Sequence, residues 1–96
     1  MDFPIGYNCA QKVAFAHGAT QPEIEGLSKM GGGRAPDGLC GALYSALQFS
    51  REDARQGVQD AFQDKLGAIH CRELKAKGVP CSQCIATAID ILESQN

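Results

Sequence analysis

Apolar residues in this chain recur three and four apart in short blocks, and glycine or proline cuts off most of them. That combination dictates short helices. The spacing gives each helix one apolar face, while Gly ends a helix and Pro opens one. Ile5, Cys9, Val13 and Ala16 predict a first helix over 7–17, with Asn8 as N-cap and Gly18 just past its end. Pro22 opens a second helix whose stripe is Ile24, Leu27 and Met30, and Gly31, Gly32 and Gly33 stop it. Asp37, in the turn sequence Ala35-Pro36-Asp37-Gly38, is the expected N-cap of a third helix carrying Leu39, Ala42, Leu43, Ala46 and Leu47. Ser50 and Asp53 resemble a capping box. The helix after them sets Ala54, Val58, Ala61, Phe62, Leu66 and Ile69 against a solvated face of Arg51, Glu52, Arg55, Gln59 and Lys65. Gly67 interrupts it, a short helix runs from His70 towards Gly78, and Pro80 opens the last helix. No stretch alternates apolar and polar residues long enough to be a strand. The expected fold is therefore all-α, a compact bundle of five to six short helices in a single domain over 1–96.

Composition narrows the partners. Acidic and basic residues are interspersed and the net charge is −2, so there is no basic footprint for nucleic acid. Trp is absent and Phe and Tyr are few, which leaves little for base stacking. No basic segment followed by an apolar run opens the chain, and no apolar run is long enough to span a bilayer. The expectation is a cytoplasmic protein with no membrane and no nucleic-acid partner. A homodimer would give so small a chain additional core.

Five cysteines remain to be explained. An odd number cannot pair completely within one chain, and in a reducing compartment such residues read as metal ligands or redox thiols. Four of them fall at expected helix starts: Cys9 after Asn8, Cys40 three residues after Asp37, Cys71 at the head of the short helix, and Cys81 after Pro80. A first helical turn offers unsatisfied N–H groups and the positive end of the dipole, both of which favour thiolate. Cys81 and Cys84 form a C-x-x-C pair, which suits a dithiol couple or half a metal site. Ile85 stands where covalent c-type haem attachment needs His, so no haem is expected. Cys84 also shares the apolar face of Ile85 and Ala88, which suits a core residue equally.

Other motifs fall away. Gly33 to Gly38 has the spacing of a phosphate loop, but Leu39 and Cys40 stand where Lys and Ser or Thr are required. The glycines read instead as backbone clearance beside Cys40. His17 lies at a helix end and His70 adjoins Cys71. No isolated carboxylate pair or serine triad supports a hydrolase.

Asn8-Cys9-Ala10-Gln11, the glycine run 31–33, Cys40-Gly41-Ala42, Cys71-Arg72-Glu73-Leu74, and Cys81 with Ile85 and Ala88 together resemble the family named for its C, CGAxxG, C, C pattern. Its members are described as redox-active. The resemblance runs from Gly6 to Leu92 and maps the family's four cysteines onto Cys9, Cys40, Cys71 and Cys81. Ser45 stands where the CGAxxG motif has its glycine, Cys84 is an addition, and the segment between Cys71 and Cys81 is short for the family. A related domain in split-Soret cytochromes holds an iron–sulfur centre through cysteines. The resemblance thus implies a site in which Cys9, Cys40, Cys71 and Cys81 hold an iron–sulfur cluster, or zinc as the alternative, for electron transfer with a redox partner protein. Two other readings stand beside it. One is a thiol–disulfide oxidoreductase or redox sensor using the Cys81/Cys84 pair or Cys40. The other is a helical interaction module with structural cysteines. Whether the chain turns over a substrate stays open between them.

Overall fold

A computed structural model describes residues 3, 5–30 and 36–94. Its helices are α1 (Cys9–His17), α2 (Gln21–Glu25), α3 (Gly41–Gln48), α4 (Arg55–Leu66), α5 (Cys71–Ala76) and α6 (Cys81–Ser94), with single 3₁₀ turns at Pro36–Gly38 and Glu52–Ala54. Among the described residues there is no strand; one antiparallel bridge joins Leu39 to His70. The fold is all-α, as the periodicity requires. No helix among the described residues is long and apolar enough to cross a membrane. The clearance role expected of Gly31, Gly32 and Gly33 lies outside the described residues.

Several helix boundaries differ from the sequence pattern, and at α2 and α3 a distant group takes up a backbone bond. The second helix stops at Glu25 although its apolar stripe continues. The carbonyls of Leu27 and Ser28 are claimed by the Asn8 side-chain amide at 2.9 and 3.0 Å, so the backbone beyond Gly26 runs on in turns. Asp37 does not cap α3. It takes a left-handed conformation, φ 62°, and the N-cap is Cys40 itself. The Cys40 N–H donates to the Ile69 carbonyl at 2.9 Å, which keeps residues 39–40 extended beside 69–70. Ser50 is not a cap either, because its hydroxyl turns back to donate to the Ala46 carbonyl at 2.6 Å. A 3₁₀ turn then delays α4 until Arg55, and Gly67, with φ 82°, ends it before Ile69.

Helices α1, α3 and α6 pack against one another, α4 covers α6 and α3, and α2 lies on α1. The main core joins Val13, Leu43, Phe62, Leu74 and Ala88, all enclosed. A smaller cluster of Ala10, Ala14, Ile24 and Leu27 seals α1 to the α2 segment.

Ser45 is wholly buried on α3, and its hydroxyl finds no hydrogen-bond partner among the described residues. A buried unpaired hydroxyl costs about 1–3 kcal/mol, and alanine is the better helix former. Ser45→Ala is therefore expected to raise stability by about 1–2 kcal/mol, read as a higher urea midpoint at unchanged slope. A lower midpoint would show that the hydroxyl is satisfied.

Candidate functional site

Local structure places each cysteine. Asn8 and Gln11 form a reciprocal cap at the start of α1: the Gln11 N–H donates to Asn8 Oδ1 at 2.8 Å, and the Asn8 N–H to Gln11 Oε1 at 3.0 Å. The Gln11 amide also donates to the Ile24 carbonyl at 3.2 Å. Cys9 is thus held between two residues that tie α1 to the α2 segment. Cys40 precedes α3 and Cys71 opens α5 after its N-cap His70. The bridge between Leu39 and His70 sets these two helix starts side by side. After α5, Gly78 takes φ 78° and turns the chain into Pro80 and α6, whose first turn carries Cys81 and Cys84.

Packing of α1, α3 and α6 brings these starts to one place. All five cysteines line a single cavity of about 20 Å³, together with Gly41, Leu74, Val79 and Lys75. All five are free thiols. Cys40 and Cys84 are buried, Cys9 and Cys71 are half-buried at its edge, and Cys81 is exposed. His70 lines a neighbouring polar groove of about 650 Å³ with Asp37, Arg72 and Glu73, and its Nδ1 lies 3.0 Å from Glu73 Oε1. Cys71 and Lys75 face both spaces. His17 sits apart, its ring 5.1 Å from that of Phe49.

Burial governs the inner thiols. At Cys40 it pushes the thiol up, against the lowering effect of the Leu43 and Ala42 N–H groups at the start of α3. The expected helix-start activation is present there, but desolvation outweighs it. Cys84 is pushed up to about 12, first by burial and then by the neighbouring Cys40 thiol. This has a consequence for stability. In the unfolded chain the Cys84 thiol ionises from about pH 9, whereas in the fold it keeps its proton to about 12. Above pH 9 the unfolded state therefore binds fewer protons, and stability falls as pH rises through that window. Denaturant midpoints of the reduced protein are expected to fall across that range, and to fall less steeply in Cys84→Ala. Equal slopes would assign the loss to other groups.

The five thiols surround the cavity without closing on one point. Among the described residues, no three His, Cys, Asp or Glu side chains stand as a group that could hold a metal ion. The donor set is nonetheless all sulfur, with no carboxylate or imidazole on the cavity wall. In chemistry it suits a thiolate-bound centre, either zinc or an iron–sulfur cluster. The arrangement is a cavity lined by thiols, not a preformed single-ion cage. No family model matches the chain, and neither does any curated protein or solved structure.

Proposed function

We propose that this is a small redox protein whose Cys9, Cys40, Cys71 and Cys81 hold a thiolate-bound metal centre, iron–sulfur in preference to zinc, for electron transfer. The observation that carries the reading is that all four, drawn from the starts of four helices, line the same small cavity. Zinc has no redox chemistry and requires four sulfurs converging at about 2.3 Å. A cluster is ligated through separate iron atoms and supplies the electron-transfer chemistry that zinc lacks.

The surrounding residues suit that role. The Ala42 and Leu43 N–H groups stabilise negative charge on the Cys40 sulfur. Lys75 offers a cation to a cavity that would otherwise gather thiolates. Leu74 and Val79 keep the wall apolar. Exposed Cys81 brings one edge to the surface, where a redox partner protein can approach. A reducing, cytoplasmic setting fits five free thiols. A bound centre would supply one-electron chemistry.

The test is anaerobic purification and reconstitution, followed by iron, sulfide and zinc analysis and a visible spectrum. Iron with sulfide and visible absorption is expected. Zinc alone would make the site structural, and a metal-free, colourless protein would remove the reading. One juxtaposition favours a second reading, thiol–disulfide exchange: Cys84 and Cys40 share one core cluster and one cavity wall.

A further inference from the structure

We propose that Cys40 and Cys84 are a dithiol–disulfide couple, reached from solvent through Cys81. This deepens the thiol–disulfide reading and assigns a role to the one cysteine outside the four-cysteine set. Cys40 and Cys84 are 5% and 3% exposed, belong to the same core cluster and line the same cavity. Helices α3 and α6 pack directly on each other, so neither thiol needs a distant element to move. Buried thiols cannot meet an oxidant directly. Cys81 can, because it is exposed on the same cavity and lies one helical turn before Cys84.

The co-reactant is a low-molecular-weight disulfide. The Cys81 thiolate attacks one of its sulfurs, the S–S bond breaks, and the first small thiol leaves with the electron pair and takes up a proton. Cys84 then attacks the Cys81 sulfur of the mixed disulfide. The second small thiol leaves, and the Cys84 proton goes to it. Cys40 finally attacks the Cys84 sulfur, and Cys81 departs as a thiol that recovers the Cys40 proton. In sum, two protein thiols are oxidised to the Cys40–Cys84 disulfide and one small disulfide is reduced to two thiols.

The chain's lysines and arginines make this readable. Trypsin places Cys40 on peptide 35–51 and both Cys81 and Cys84 on peptide 78–96, with Cys9 and Cys71 on two others. Metal-free protein is treated with oxidised glutathione, its remaining thiols are alkylated, and the digest is analysed by mass spectrometry. The expected product joins 35–51 to 78–96. In Cys81→Ser the same pair is expected to form about tenfold more slowly, because the entry thiol is gone. In Cys84→Ser no such link is expected, and glutathione is retained on Cys81. Circular dichroism confirms that each variant is folded. A disulfide confined within 78–96, or a link between 35–51 and 78–96 that persists in Cys84→Ser, overturns the proposal. Because the mapping uses metal-free protein, it stands or falls separately from the metal centre.

Discussion

Phe62→Ala is expected to cost about 3–5 kcal/mol, the range for emptying a fully enclosed aromatic site. Phe62 has no exposed surface and is among the largest enclosed side chains in the fold. It is the middle of the three buried residues, Val58, Phe62 and Leu66, by which α4 holds to the rest of the domain. Domains of this kind have only about 5–15 kcal/mol in total, and each kcal/mol moves the melting temperature of one this size by about 4–8 °C. The variant should therefore melt far lower, or be partly unfolded at ambient temperature. The effect reaches the cysteines even though α4 does not line their cavity, because α4 backs both α3 and α6. Phe15→Ala is the control. Phe15 is 40% exposed, with Phe3 and Tyr7 edge-on to its ring, and its loss should cost about 1 kcal/mol. Thermal melts of both variants check the contrast. Equal losses would mean that α4 is not anchored through Phe62.

The second large effect concerns Cys40. In the metal-loaded protein, Cys40→Ser is expected to weaken retention of the centre about a hundredfold. Four-thiolate sites bind with roughly 10–16 kcal/mol in all, so one ligand accounts for about 3 kcal/mol, and each 1.4 kcal/mol is about tenfold. The fold should survive, because Cys40 is the N-cap of α3 and serine is among the preferred N-caps. Cys84→Ala should leave retention near that of the parent, since Cys84 lies outside the four-cysteine set. Competition against a chelator, with circular dichroism as the folding control, measures both. If Cys84→Ala loses the centre as readily as Cys40→Ser, the ligand set includes Cys84.

What could be read from the sequence was local, and what could not was long-range. The start of α1 was legible because Asn8 caps its own helix, and the end of α4 because Gly67 must take a left-handed conformation. The C-x-x-C pair at the head of α6 was legible from Pro80. By contrast, the early end of α2 depends on the Asn8 amide reaching 19 and 20 residues along the chain. The delayed start of α3 depends on the Ile69 carbonyl, and no pattern near Asp37 announces it. Gln11 carried a signal in hindsight: an amide three residues after an Asn N-cap completes a reciprocal cap.

The site divides in the same way. That cysteines mark helix starts could be read from the residues beside them. That the starts share one cavity depends on the bridge between Leu39 and His70 and on the packing of α1, α3 and α6. Cys84 looked like either a core residue or a ligand. It is buried in the core and lines the thiol cavity at once, because the first turn of α6 forms the cavity wall.

The most direct test of the central claim is cysteine protection on reconstitution. Cys9, Cys71 and Cys81 are half-buried or exposed and should alkylate readily in the metal-free protein. After anaerobic loading with iron and sulfide, all three should become protected together, with iron retained on the chain. Undiminished alkylation at these positions, with no iron retained, would contradict the account.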